Sequence, residues 1–221
     1  MGAPTRWRLM NIYKVLEIPL VYRISQFVLA PGMDRIVTGR LARMFAAIPR
    51  PERVLDVGCG PSSWLWKLGM KPIGLDICHA YTVRFGSNGS RAVTASCTSM
   101  PFAAGFFDVV FSYGLLHHLP EQLARETVGE ILRVTRPNGH VILFDPVVPR
   151  TAVARPLAWA LCKLDRGRFI RPQREYETRV LSRPEWKIER FTHSYLGTEG
   201  LLSLLAKDWT GLDGPVGAHT L

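Results

Sequence analysis

The run Val54-Leu55-Asp56-Val57-Gly58-Cys59-Gly60-Pro61-Ser62-Ser63 constrains the fold of this chain more than any other stretch. A short apolar strand, Arg53–Val57, leads into two glycines one residue apart. Gly58 and Gly60 let the backbone turn sharply and approach a ligand closely, because no Cβ stands in the way. A helix predicted over Ser62–Leu68 would present unpaired N–H groups and the positive end of its dipole at the same place. Strand, glycine turn and helix in that order form the first unit of a sheet with crossover helices.

The alternation continues downstream. Strands are predicted over Pro72–Asp76, Ala92–Ala95, Phe107–Ser112 and His140–Phe144, with helices over His79–Phe85 and Glu121–Val134. Asn138-Gly139 marks a turn before the fifth strand. Apolar strands alternating with helices imply a mostly parallel sheet covered on both faces. From Arg150 to Arg183 the alternation breaks: a helix is expected over Ala152–Leu164, then an Arg-rich segment. Trp186–Thr192 and Gly200–Lys207 read as two final strands, joined through Gly197 closely enough to pair antiparallel. Upstream, Leu9–Leu29 has amphipathic helical spacing interrupted near Pro19, and Asp34 is a predicted N-cap for a helix over Arg35–Ala47.

The expected organisation is an N-terminal helical lid over residues 1–50, a ligand-binding domain over 51–210 with a helical insertion at about 150–184, and a flexible tail over 211–221. A chain of 221 residues supports one sizeable domain. Four cysteines, Cys59, Cys78, Cys97 and Cys162, include no C-x-x-C pair, so no metal site is expected and a reducing, cytoplasmic setting is. Leu16–Ala30 carries Glu17, Pro19 and Arg23, too broken for a membrane span of ~20 apolar residues. The net charge of +10 favours anionic partners: nucleic acid, a membrane surface or an acidic substrate.

Two ligand classes use a glycine turn of this kind. A dinucleotide site wants a third glycine, and Ser63 stands in its place. Asp56, just before the first glycine, suits a cationic or zwitterionic ligand better than a pyrophosphate. Asp76, at the end of the second strand, can accept hydrogen bonds from both hydroxyls of a ribose.

With Val54–Gly60, Gly74-Leu75-Asp76, Met100-Pro101-Phe102, Phe107-Asp108-Val109-Val110, Leu116-His117-His118-Leu119 and Ile131–Gly139 in this order, the chain resembles the class I S-adenosylmethionine (SAM)-dependent methyltransferases. Within them it is most similar to the small-molecule group of the ubiquinone and menaquinone methylases. The resemblance covers roughly residues 50 to 145 and implies a Rossmann-like doubly wound, seven-stranded sheet of order 3-2-1-4-5-7-6, its last strand antiparallel. It also implies SAM as cofactor and S-adenosylhomocysteine as product.

Carried over by position, Asp56, Gly58 and Gly60 would surround the methionine part of SAM, Asp76 would hold the ribose and Ile77 would pack on the adenine. Ser96 stands where the family often has an Asp, and the Cys97 N–H would contact the ring. Ser112, Tyr113 and Gly114 would line the sulfonium side. His117 and His118 are the candidate bases, with pocket lining as the alternative role. His193 and Tyr195, in the hairpin between the last strands, are read as solvated loop residues, with reach into the acceptor pocket as the alternative. Tyr22 and the arginines Arg166, Arg168, Arg171 and Arg174 lie in the two segments where an acceptor pocket would form. Apolar surface beside arginines admits three readings: a core face with solvated arginines, a site for an amphipathic anionic acceptor, or peripheral membrane contact. Ser112-Tyr113-Gly114-Leu115 is not the Asn/Asp-Pro-Pro-Tyr motif of methyltransferases acting on DNA bases, which argues against nucleic acid as substrate. The expected partner is a small-molecule acceptor. A methyltransferase acting on RNA or protein and a non-catalytic SAM-binding subunit are the alternatives.

Overall fold

Seven strands form one sheet in the order β3-β2-β1-β4-β5-β7-β6 in the computed structural model, which describes residues 31–151, 153–164, 168–182 and 185–205. They are β1 Val54–Val57, β2 Ile73–Asp76, β3 Ala92–Thr94, β4 Phe107–Tyr113, β5 Thr135–Val147, β6 Lys187–Thr192 and β7 Glu199–Leu205. Strands β1 to β5 pair in parallel, and β7 runs antiparallel between β5 and β6. Order and direction match the expectation.

The longer α-helices are α1 Met33–Ala46, α2 His79–Gly86, α3 Glu121–Val134 and α4 Pro156–Leu164. Side chains alternate across the strands, so each strand feeds two cores. Leu55, Val57, Val110, Val141 and Leu143 pack with Val128, Ile131 and Val134 of α3 on one face. Val54, Val109, Phe111 and Ile142 pack with Val37, Leu41 and Met44 of α1 on the other. Each such side chain, once buried, contributes about 1.5–3 kcal/mol to stability.

The chain leaves β1 toward β2 and β3 on one side and returns at β4 on the other. This reversal opens a crevice at the carboxyl ends of β1 and β4, where ligands of open α/β sheets bind.

Several elements depart from expectation. The helix predicted over Ser62–Leu68 is a five-residue 3₁₀ turn, Trp64–Leu68. Gly69, in the left-handed region at φ 73, closes it before the chain must enter β2. It therefore offers only a fraction of a helix dipole. The expected N-cap Asp34 lies inside the first turn of α1 and pairs with Lys67, while Gly32 at φ 79 takes the cap position. Helix α4 starts at Pro156 rather than Ala152, because proline has no N–H to give a preceding turn and is preorganised for the first helical position. The fifth strand is longer than predicted, with a register shift opposite Phe107 to Val109 and Asn138 at φ 61. Within the Arg-rich segment, an α turn (Gln173–Glu175) runs into a π-helical turn (Tyr176–Leu181) that sequence periodicity did not suggest. Most of the predicted lid, residues 1–30, and the tail lie outside the described residues.

Candidate active site

Asp56 is buried at the end of β1 and accepts the Ser63 hydroxyl at 2.5 Å. The same oxygen of Ser63 accepts the Leu65 N–H at 3.1 Å and so caps the 3₁₀ turn. Burial pushes the Asp56 carboxyl up to about 7; the Ser63 hydrogen bond opposes this, and the negative charge of Asp76 adds to it.

The glycine turn hooks over β2: the N–H groups of Gly58 and Cys59 both donate to the Leu75 carbonyl, at 2.7 and 3.1 Å. Gly58 sits at φ 69, and a Cβ there would lie 2.8 Å from Leu115 Cδ1. Gly60 sits at φ 57, with no atom within 4 Å of a Cβ position. One glycine is thus needed for close packing, and the other leaves open space.

Asp76 closes this corner. One of its oxygens accepts the Gly60 N–H at 3.0 Å and the other the Cys78 N–H at 2.8 Å. The carboxylate is fixed in place, and each oxygen retains a second acceptor direction for a ligand hydroxyl. Beside it, Ile77 is 77% exposed, so its side chain is open to contact with a ligand. An open glycine, an oriented strand-end carboxylate and an uncovered isoleucine could hold the methionine, ribose and adenine parts of SAM in that order.

The other expected cofactor residues stand differently. Ser96 turns into its own loop, bonding the hydroxyl and N–H of Thr98 at 2.8 and 3.2 Å. The half-buried Cys97 thiol accepts the Thr127 hydroxyl at 3.3 Å, and burial raises its pKa. Ser112 is buried and donates to the Val57 carbonyl at 2.8 Å, tying the ends of β4 and β1 together. The Tyr113 ring lies on the α1 side, stacked on Phe144 with centroids 4.5 Å apart, and its hydroxyl meets Met33 Sδ at 3.3 Å.

The two histidines differ sharply. They occupy a 3₁₀ turn, Leu116–His118, directly after β4. His117 is buried and its Nδ1–H donates to Asp145 Oδ1 at 2.7 Å. Asp145, itself 1% exposed, also accepts the N–H groups of Leu116 and His117 at 3.2 and 3.0 Å. His118 is exposed, its ring 4.1 Å from that of His117. Asp145 was not among the expected site residues. Its signal was a lone carboxylate at the end of an otherwise apolar central strand, where a parallel sheet covered on both faces has no solvent for it.

Among the expected acceptor residues, Tyr22 and Arg166 lie outside the described residues. Arg168 is exposed. Arg171 is buried and donates to the carbonyls of Leu116, Leu119 and Phe169 at 3.0, 2.6 and 3.1 Å. Its guanidinium therefore clamps the turn carrying His117 instead of standing open to an anion. Arg174 lines a groove at the end of β5 with Arg150, Arg190 and Glu177. His193, expected in solvent, is buried against Phe144 and Phe191, while Tyr195 is 70% exposed. Burial lowers the His193 pKa to about 4, with Glu199 opposing. Among the described residues no cluster of His, Cys, Asp or Glu could hold a metal ion.

Residues 55–143 match the family described as a methyltransferase domain. A demethylmenaquinone methyltransferase of Beutenbergia cavernae is 33% identical over 135 residues, covering 58% of this chain and 54% of that protein. A tRNA (carboxymethyluridine(34)-5-O)-methyltransferase of Arabidopsis thaliana is 29% identical over 109 residues, covering 47% of this chain and 26% of that protein. The chain thus spans about half or less of the length of these relatives. The crystal structure of a SAM-dependent methyltransferase from Archaeoglobus fulgidus shares the fold at TM-score 0.65 and 16% identity, over 84% of this chain and 99% of that one.

Proposed function

We propose that this chain, which resembles the class I SAM-dependent methyltransferases in both sequence and fold, binds SAM over the carboxyl ends of β1 and β2 and methylates a small amphipathic acceptor held over β4 and β5. The observation that carries this reading is the corner where the oriented carboxylate of Asp76 meets the open Gly60 and the uncovered Ile77. SAM supplies an electrophilic methyl group. The protein's task is to align an acceptor with it and to exclude water.

On the acceptor side, Asp145 takes the Nδ1 proton of His117 as a hydrogen bond and so fixes the tautomer. Nε2 is then the nitrogen that takes a proton from an acceptor hydroxyl as the methyl arrives. Arg171 holds the turn rigid by bonding Leu116 and Leu119. A base at this point supports an oxygen acceptor whose proton must leave.

The test is methyl transfer from labelled SAM to a panel of phenols, quinols and carboxylates. His117→Ala is expected to lower kcat roughly 10²–10⁴-fold, the usual contribution of a general base, at unchanged SAM affinity. Transfer unaffected by this substitution would remove His117 from the chemistry, and failure to bind SAM at all would remove the whole assignment. RNA as acceptor is favoured by one observation, the net charge of +10 beside a tRNA-modifying relative. It requires RNA affinity that falls steeply with salt, so weak binding with little salt dependence counts against it.

A further inference from the structure

The outward face of α4 is apolar where a helix on a solvated surface carries charges. Ala158 is buried, but Leu157 is 53% and Trp159 40% exposed. Val153, just before the helix, is 94% exposed, and Phe169, after it, 36%. Single exposed apolar residues are commonplace; here four fall between positions 153 and 169, with Leu157 and Trp159 on the two flanks of the outward side of α4.

Two cations lie beside these side chains. The Lys163 ammonium sits 5.3 Å over the Trp159 ring, and Arg168 is exposed beside Phe169. Asp165 is the sole acid between Pro149 and Gln173. Tryptophan, leucine and phenylalanine with flanking cations form the chemistry of a surface that enters the interface of an anionic bilayer: rings and aliphatic chains at the acyl boundary, cations at the phosphates.

Its place in the fold adds a second argument. Arg155, at the foot of α4, donates to the Gly197 carbonyl at 3.0 Å in the loop between β6 and β7. The Phe169 N–H donates to the His117 carbonyl at 2.9 Å. Cys162 approaches the Val147 carbonyl at 3.8 Å. All three contacts lie at the carboxyl end of the sheet, where the candidate active site lies.

The geometry points to peripheral docking of this chain on an anionic lipid surface through Val153, Leu157, Trp159 and Phe169, with the candidate active site turned toward the bilayer. Among the described residues no helix is long and apolar enough to cross a membrane, so the contact is interfacial. An acceptor dissolved in the bilayer then reaches the site without passing through water. Docking itself does not depend on the identity of the acceptor or on methyl transfer.

The full chain is sedimented with vesicles of phosphatidylcholine, with and without phosphatidylglycerol, and its SAM affinity is measured in parallel. Wild type is expected to bind the mixed vesicles and to bind the neutral ones weakly. The double substitution Leu157→Gln with Trp159→Gln is expected to weaken binding to mixed vesicles at least about tenfold. Lys163→Gln is expected to weaken binding about fivefold on the anionic vesicles and little on the neutral ones. SAM affinity stays unchanged in both variants, which shows that they fold. Absence of binding by wild type overturns the proposal, since the patch then meets some other surface. Equal binding by the double variant overturns it as well, since the attraction then belongs to the net charge alone.

Discussion

Asp56 is a carboxyl group that the fold keeps dry. A free Asp titrates near 3.8, and in the folded chain Asp56 titrates at about 7. Below the unfolded value both states are protonated and folding carries no penalty. Between the two values the folded chain holds a proton that the unfolded chain has released, so stability falls as pH rises and the loss is complete above about 7. Three pKa units correspond to about 4 kcal/mol, an order-of-magnitude figure for a buried group beside a second carboxylate. Asp56→Asn should therefore flatten the pH dependence of the urea midpoint between pH 4 and 7. A slope equal to that of wild type would mean that Asp56 ionises freely. Such a group is retained where a cationic ligand can share its charge, which is what the ammonium and sulfonium of SAM would do. SAM affinity is accordingly expected to rise with pH through 7 in wild type, and not in Asp56→Asn.

At the scale of elements, the β6–β7 hairpin joins the sheet edge to α1: Tyr195 donates its N–H to the Pro31 carbonyl at 2.8 Å. His193 lies within this hairpin with no hydrogen-bond partner for Nδ1 among the described residues. Its pKa of about 4, against the ordinary 6.5, means that the folded chain favours neutral imidazole. The stability this contributes is present above pH 6.5 and is lost as pH falls through 4, to the extent of about 3 kcal/mol. His193→Phe, placed between Phe144 and Phe191, should remove that acid sensitivity, as read from urea midpoints at pH 7 and pH 4. An unchanged acid limb would assign it to other groups.

The strands of this hairpin were legible because apolar runs bounded by Gly197 can only pair back on themselves. The environment of His193 is not legible in the sequence, because Phe144, which closes over it with the neighbouring Phe191, comes from a strand remote in sequence. The same holds for the candidate site. Gly58, Gly60 and Asp76 announce themselves locally, through backbone freedom and a strand-end carboxylate. The Asp145–His117 pair exists only because β4 and β5 are neighbours with their ends level, and Arg171 is drawn inward by the Leu116 and Leu119 carbonyls, the first of which it shares with the Leu119 N–H. In sequence the crossover after β1 reads as a full helix, because Trp64–Leu68 has helical composition and only the stop at Gly69 shows how short it is.

For the whole molecule, the assignment of SAM to the β1–β2 corner has a consequence that needs no acceptor. A ligand that binds only the folded chain stabilises it by about 2.7 kcal/mol at a concentration a hundredfold above its Kd. A domain of this size gains roughly 2–4 °C in Tm per kcal/mol, so S-adenosylhomocysteine at that concentration should raise Tm by about 5–11 °C. Asp76 holds its place through the Gly60 and Cys78 N–H groups, so its oxygens would meet a bound ribose already oriented. Asp76→Ala removes charge-assisted hydrogen bonds worth about 1.5–3 kcal/mol of ligand affinity. The dose of ligand that gives the full shift in wild type then sits near or only modestly above the variant's Kd, and the shift shrinks to about half or less. The variant's own Tm without ligand sets the baseline, so lost packing of the glycine turn is read separately from lost binding. If the ligand-induced shift were undiminished in Asp76→Ala, the ribose would have to lie elsewhere and the polarity of the proposed site along β1 and β2 would be wrong.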